Sequence, residues 1–182
     1  VEFDTKVEQI GKQAFENCTA LRRVVFADGA DSLGDWVFNG CTLSEFRFDG
    51  ELGTATYRSF EGATFDDDTW QDDVLIIGDN LLKANDSISG TCRVRDGVKK
   101  IVSFAFADCE NLETVILPDS VTSIGRYAFQ NCYSLESLKF GRGLTNIGFS
   151  AFGNCPVLSA VDIPDLDRWL DLSFQYSLRM GG

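Results

Sequence analysis

The side chains that could do chemistry in this chain are six cysteines and a run of aspartates. Thiolates and carboxylates bind metal ions and serve as nucleophiles, acids or bases in catalysis. The 182 residues include no histidine, which removes serine–histidine and cysteine–histidine pairs and every metal site that needs an imidazole. No two carboxylates are marked out by their spacing as an acid and base pair. The sequence therefore predicts no catalytic residue and no cofactor.

Five of the six cysteines occupy one repeated position. They are Cys18, Cys41, Cys109, Cys132 and Cys155. The spacing is 23 residues from the first to the second and again among the last three. Equivalent side chains of stacked repeats point in parallel, which is poor geometry for a disulfide or a zinc site. We expect a buried row of free thiols that pack as small apolar groups, and Cys92, outside the row, as the most reactive thiol.

The densest acidic run surrounds Trp70. It comprises Asp66, Asp67, Asp68, Asp72 and Asp73. Such carboxylates could bind calcium, but the run lacks the glycine and the terminal glutamate of a calcium-binding loop. The prediction is a solvated loop, and no metal ligand is assigned.

The net charge of −12 limits the partners. Between Asp49 and Asp86 there are ten acidic and two basic residues, a charge of −8. A nucleic acid or an anionic membrane surface would require a basic stripe instead. No run of apolar residues approaches the length of a membrane-spanning helix. We therefore expect no nucleic-acid partner and no membrane-spanning segment.

The elements that position these residues form an internal repeat. Blocks of the form I-G-x-x-A-F-x-x-C begin at Ile10, Ile124 and Ile147, with weaker copies from Leu33 and Ile101. An L-x-x-V-x-[FIL] pattern after the cysteine predicts a short strand with one buried face. One unit cannot bury its own apolar face, but stacked units form a continuous core. The sequence predicts a leucine-rich-repeat solenoid of α/β to mainly β class, with stacked 23-residue repeats, a parallel β-ladder and short helical turns.

One residue is missing from the second repeat. After Cys18 the next leucine follows three residues later at Leu21, whereas after Cys41 it follows two residues later, at Leu43. A degenerate unit then places Ala63 in the cysteine position, two full periods before Cys109. The repeat phase therefore continues through the irregular middle of the chain.

The complete pattern resembles the BspA-like class of leucine-rich repeats, a family of bacterial surface and secreted proteins. The linker P-D-S-V-T-S-I-G at Pro118–Gly125 matches that class closely. The resemblance covers residues 1–165 and implies an extracellular or cell-surface location, with adhesion to host or bacterial partners. No basic-then-apolar leader follows Val1, so a signal peptide is expected to be absent from this chain.

Two segments depart from the repeat. The unit near 66–97 lacks the A-F-x-x-C block, and Val74–Lys83 is predicted to form a hairpin with a Gly-Asp-Asn turn. After Pro164 the period fails, because position 170 holds leucine where an Ile-Gly pair is due. Residues 166–182 are therefore expected to form either a cap over the last rung or the start of a further irregular unit.

Two surfaces are candidates for binding. Trp36, Phe104 and Tyr127 share one position of different repeats, with Phe149 beside it, and would form an aromatic stripe if that position faces solvent. If the position faces inward, which most large apolar residues do, the rings belong to the core. The second surface is the outer face of the β-ladder, a usual ligand surface of solenoids. Its candidate residues are Arg23, Glu45, Arg47 and Lys139.

Three functions are compatible with these features. The first is a non-catalytic module that recognises a macromolecule, either a protein or a glycan, through the ladder face or the stripe. The second is a passive spacer or scaffold within a larger protein. The third, a glycan-active enzyme with paired carboxylates, has the least support because no such pair stands out.

Overall fold

The computed structural model describes residues 1–49, 52–55, 57–65, 70–165 and 173–174. These ranges form short strands and one 3-10 turn at Tyr57–Ser59. The strands are β1 (Glu2–Phe3), β2 (Val7–Ile10), β3 (Arg23–Phe26), β4 (Ala30–Leu33), β5 (Thr42–Leu43), β6 (Glu45–Phe48), β7 (Leu52–Thr54), β8 (Thr64–Phe65), β9 (Trp70–Gln71), β10 (Val74–Ile77), β11 (Asn80–Ala84), β12 (Ser89–Arg93), β13 (Lys100–Ile101), β14 (Asn111–Ile116), β15 (Ser123–Ile124), β16 (Ser137–Lys139), β17 (Asn146–Ile147), β18 (Ala160–Asp162) and β19 (Ser173–Phe174).

Most repeats contribute two strands, and equivalent strands of successive repeats pair in parallel. The first ladder contains β1, β3 and β6 in the N-terminal half and β12, β14, β16 and β18 in the C-terminal half. The second ladder contains β2, β4 and β7, and then β11, β13, β15, β17 and β19. This arrangement confirms the predicted solenoid of stacked repeats. It also adds a ladder, because the residues before each Ile-Gly pair form strands as well.

The strand register follows the period of the sequence. Val115 pairs with Leu138, and Leu138 pairs with Val161, each one full repeat away. In the N-terminal half Arg23 pairs with Glu45, one residue short of the period. That shortfall matches the residue missing between Cys41 and Leu43.

Stacked phenylalanines run through the core. Phe106 and Phe129 lie 4.7 Å apart between ring centroids, with 13° between their planes. Phe129 and Phe152 follow at 5.3 Å and 16°. In the N-terminal half Phe15 and Phe38 stack at 5.6 Å. Offset stacking of this kind adds about 0.5–1.5 kcal/mol per pair beyond the burial of the rings, so the phenylalanine of the A-F dipeptide fixes the alignment of neighbouring rungs.

The A-F-x-x-C blocks form hydrogen-bonded turns, whereas short helical turns were predicted. Two residues of each turn have a left-handed backbone, as at Tyr127 (φ 56°) and Asn131 (φ 61°), which interrupts a right-handed helix. The amide N–H groups of the turn bond to the next rung. Phe129 N donates to Ala151 O at 2.7 Å, for example. The described residues accordingly contain no α-helix.

The glycine of the Ile-Gly pair lets neighbouring rungs approach closely. A Cβ atom at Gly125 would lie 2.3 Å from Ser103 N, and one at Gly148 would lie 2.5 Å from Arg126 N. Both distances are far below van der Waals contact, so a side chain at these positions would push two rungs apart.

The irregular middle of the chain contains an antiparallel hairpin. Strands β10 and β11 pair from Val74 with Ala84 to Ile77 with Asn80, and β9 adds a further antiparallel strand. Leu81 in β11 then pairs in parallel with Ile101 in β13. The hairpin therefore starts the second ladder of the C-terminal half.

Residues 166–182, predicted to form either a cap or the start of a further unit, lie largely outside the described residues. Within that range Ser173 and Phe174 pair in parallel with Asn146 and Ile147. Ser173 and Phe174 thus continue the second ladder beyond β17.

Candidate functional site

The cysteine row is a structural device. Sγ of Cys41, Cys132 and Cys155 each donates to the carbonyl of a phenylalanine in the preceding rung, at 3.1 Å. All six cysteines are free thiols. Burial raises the pKa of the Cys109 thiol to about 12, so this thiol stays protonated at neutral pH. Cys41, Cys132 and Cys155 thus join neighbouring rungs by hydrogen bonds, as small packed thiols can. Cys18 is exposed, so the predicted buried row does not extend to its first member.

The prediction that Cys92 is the most reactive thiol is wrong. Its side chain is 4% exposed, and burial, reinforced by the negative charges of Asp72 and Asp73, raises its pKa to about 11. Cys18, in the first described repeat, is the exposed thiol instead. The sequence signal was misleading because Cys92 lies at an inward position of β12, paired with Val115 in the first ladder.

Three aromatic residues form a continuous cluster at the turns of the C-terminal half, here called the aromatic patch: Phe104, Tyr127 and Phe149. Phe104 and Tyr127 stack with centroids 5.1 Å apart and 22° between planes. Tyr127 meets Phe149 edge to face at 5.5 Å and 79°. The first two rings are partly buried, whereas Phe149 is 39% exposed. The rings thus lie at the surface, packed against one another along the solenoid axis.

Trp36 lies apart from the aromatic patch, in the N-terminal half. Its indole Nε1 donates to Glu61 Oε2 at 2.9 Å. Lys12 Nζ lies 4.7 Å from the ring centroid, and the Arg58 guanidinium carbon lies 5.9 Å from it. Arg58 occupies the same repeat position as Trp36 one rung later. Charged side chains therefore surround Trp36, and the stripe predicted from the sequence is divided into two separate regions.

The backbone at this repeat position is left-handed. The φ angles are 55° at Trp36, 64° at Phe104 and 56° at Tyr127. This conformation costs a residue with a side chain about 1–2 kcal/mol, and glycine and asparagine tolerate it best. Gln13 and Ser150 share it, so the fold imposes the conformation on several rungs. The fold does not require a large ring there, and contacts of the ring must offset the cost.

On the first ladder of the N-terminal half, basic and acidic side chains form ion pairs with one another. The Arg23 guanidinium lies 2.9 Å from a Glu2 oxygen and 2.8 Å from a Glu45 oxygen. Hydrogen bonding to Arg23 holds the pKa of the Glu2 carboxyl below its usual value. Arg47 pairs with Asp49 at 2.8 Å. All of these groups are exposed, and exposed pairs contribute little to stability.

The first ladder of the C-terminal half presents two different rows. Hydroxyl and methyl groups form one row, from Thr91 through Thr114 and Ser137 to Ala160. Arg93, Ile116, Lys139 and Asp162 form the row beside it. Lys139 is exposed and belongs to this second row, so the structure separates it from Arg23, Glu45 and Arg47.

Sequence patterns did not indicate a groove that lies over the second ladder of the C-terminal half. It has a volume of about 290 Å³, and its polar lining side chains are Asn80, Lys100, Ser103, Ser123, Arg126 and Asn146. Lys100, Ser123 and Asn146 are neighbours in register. The groove could be found only once the second ladder was known, because these residues precede the Ile-Gly pairs that dominate the pattern.

Among the described residues, no cluster of three metal-binding side chains occurs, and no buried side-chain polar atom lacks a hydrogen-bond partner. Part of the acidic run around Trp70 lies outside these residues. No helix in the described ranges is long and apolar enough to cross a membrane.

Several solved structures resemble the chain. The T. pallidum leucine rich repeat protein is 22% identical, with 87% of this chain and 53% of that chain covered and a TM-score of 0.38. A leucine rich cell surface protein from Faecalibacterium prausnitzii A2-165 is 18% identical, with coverages of 96% and 83% and a TM-score of 0.35. A leucine-rich repeat protein from Bacteroides ovatus is 22% identical, with coverages of 87% and 41% and a TM-score of 0.42.

The chain thus spans about half the length of the T. pallidum protein. A comparison with curated protein sequences gave no match. Residues 1–91 and 56–179 match the model of the BspA type leucine rich repeat region, in six copies. Since these ranges coincide with the stacked repeats of the structure, the protein belongs to the BspA-type leucine-rich repeat family.

Proposed function

We propose that this chain is a non-catalytic recognition module of a cell-surface or secreted protein, and that it binds a partner protein through the aromatic patch. Leucine-rich repeats are generally protein-binding or scaffold modules, and one structurally similar protein is described as a cell surface protein. The observation that carries the proposal is the packing of Phe104, Tyr127 and Phe149 at the surface on neighbouring rungs.

The packing of the rings favours a protein over a glycan as the partner. A sugar ring stacks on the free face of an aromatic side chain. Tyr127, the central ring, stacks on Phe104 on one rung and meets Phe149 edge to face on another, so less of its face is free for a sugar. Edges and hydroxyls suit the apolar and polar side chains of a protein surface, where tyrosine is a frequent anchor.

A binding array with two matched variants tests the proposal. The array holds host extracellular-matrix proteins and glycans, and the variants are Tyr127→Asn in the patch and Trp36→Asn in the same repeat position outside it. We expect protein spots that wild type and Trp36→Asn bind and that Tyr127→Asn loses. Binding that survives in Tyr127→Asn would move the site to the first ladder, with Arg23, Glu45, Arg47 and Lys139. An array without any bound spot would favour the spacer function.

A further inference from the structure

We infer that the groove over the second ladder of the C-terminal half binds acidic side chains of an extended segment of the partner protein. The inference rests on the proposed function and names the chemistry of the segment. It comes from the charge of the groove, the row of donors along it, and the aromatic patch at its side.

The charge of the groove is opposite to that of the chain. Lys100 and Arg126 both line it, and none of the described residues that line it is acidic. In a chain of net charge −12, a cationic groove focuses a field that attracts negative groups. Within the described residues, neither Lys100 nor Arg126 forms an ion pair. The carboxylate of Asp79, which follows the hairpin strand β10, pairs with Lys99 at 3.0 Å.

Lys100 is held in place at the junction of the two halves. Its Nζ donates to Leu52 O at 3.3 Å, and the side chain is partly buried. An ammonium group has three N–H donors, so this contact fixes the group while leaving donors for a ligand. Since partly buried charges are screened by salt less than exposed ones, Lys100 is a suitable anchor for a carboxylate.

The donors of the groove form a row that suits an extended chain. Lys100, Ser123 and Asn146 lie on three consecutive rungs, which are about 4.8 Å apart in a β-ladder. The row is therefore about 10 Å long, the length of roughly three residues in an extended peptide. A single small anion would contact only part of this row.

The residues of the aromatic patch directly follow groove residues in the sequence. Ser103, Arg126 and Gly148 line the groove, and each is followed in the sequence by one ring of the patch, namely Phe104, Tyr127 and Phe149. A segment in the groove would thus place neighbouring side chains on the rings. The combination fits a peptide in which acidic and large apolar residues alternate, because alternate side chains of an extended chain point to opposite sides.

The test is an NMR titration of the isotope-labelled chain with a synthetic peptide that alternates glutamate and phenylalanine. We expect the amide signals of Ser103, Ser123, Arg126 and Asn146 to shift. The same peptide with glutamine in place of glutamate should bind at least about tenfold more weakly, since charge-assisted hydrogen bonds are lost. A Lys100→Gln, Arg126→Gln double variant should bind the acidic peptide more weakly by a similar factor. Lys139→Gln, on the first ladder, should bind the peptide as tightly as wild type.

Equal binding of the glutamine peptide would overturn the inference, and so would shifts confined to other surfaces or no binding at all. The peptide comparison uses the wild-type chain, so it holds even if the double variant folds poorly. Groove shifts caused by a sulfated heparin oligosaccharide and not by the peptide would also overturn it, in favour of a glycan. If the peptide does not bind the groove but Tyr127→Asn still loses binding to the array proteins, the inference is wrong and the proposed function is retained.

Discussion

Tyr127 combines a backbone conformation that disfavours it with two ring contacts that hold it in place. Replacing it with asparagine removes ring contacts worth about 0.5–1.5 kcal/mol each but relieves a left-handed backbone cost of about 1 kcal/mol. Since Tyr127 has two such contacts, we expect Tyr127→Asn to lower the free energy of unfolding, measured by urea denaturation, by no more than about 2 kcal/mol. Tyr127→Ala keeps the backbone cost and should be less stable than Tyr127→Asn. The reverse order would contradict the left-handed backbone cost at this position.

Thiol reactivity should follow burial. The thiolate is the reactive form, and a pKa raised to about 11 keeps Cys92 protonated at pH 9. We expect iodoacetamide to alkylate Cys18 in the native protein at that pH and to leave Cys92 and Cys109 unmodified, as read by peptide mass spectrometry. Modification should begin only as the pH approaches 11 for Cys92 and about 12 for Cys109, or after unfolding. Rapid native alkylation of Cys92 would contradict its burial in the first ladder.

At the scale of residues, the sequence predicted the structural role of the cysteine row but not the contacts of individual side chains. The row was identifiable because its spacing is the repeat period itself. The ion pair of Arg23 with Glu45 depends on a register shortened by one residue, and the surroundings of Trp36 depend on Arg58 in the next rung. Such contacts join residues of different repeats, so a pattern within one repeat does not contain them.

At the scale of elements, the glycine of the Ile-Gly pair controls the approach of rungs. A Cβ atom at Gly148 would meet the backbone of Arg126, whereas nothing lies within 4 Å of one at Gly11. We expect Gly148→Ala to destabilise the chain by about 1–3 kcal/mol through backbone displacement. Gly11→Ala, at the same repeat position, should be nearly neutral. Similar losses in both variants, measured by thermal unfolding, would refute the close-approach explanation.

The stacked phenylalanines provide a second test at this scale. Phe129 is fully buried between Phe106 and Phe152, so Phe129→Ala should lower the free energy of unfolding by about 3–5 kcal/mol. Phe149→Ala, which removes a ring of the same size from the surface, should cost far less. A loss below about 1 kcal/mol for Phe129→Ala in urea denaturation would count against the repeat register.

The sequence predicted the first ladder and the hairpin strands better than the turns and the second ladder. Alternating apolar residues identify β14 and its equivalents directly. In the C-terminal half, the strands of the second ladder after the hairpin have two residues each, such as Ser123–Ile124, and are too short to show a period. The turns were predicted as helical because alanine and phenylalanine are compatible with a helix. Hydrogen bonds to the next rung determined the outcome instead.

At the scale of the whole molecule, the two halves present different surfaces. In the N-terminal half, the exposed Arg23 forms ion pairs with Glu2 and Glu45. The hairpin unit separates this half from the C-terminal half. The C-terminal half carries the aromatic patch and the cationic groove side by side. Fold alone does not determine function, so the proposed recognition function is assigned to this second surface.

The measurement that tests the central claim most directly is hydrogen–deuterium exchange of the chain in complex with a protein captured on the array. Binding through the aromatic patch predicts slower exchange in the turns at 103–106, 126–129 and 149–152, with the turn of Trp36 unchanged. Protection confined to the first ladder, or to the turn of Trp36, would contradict the claim.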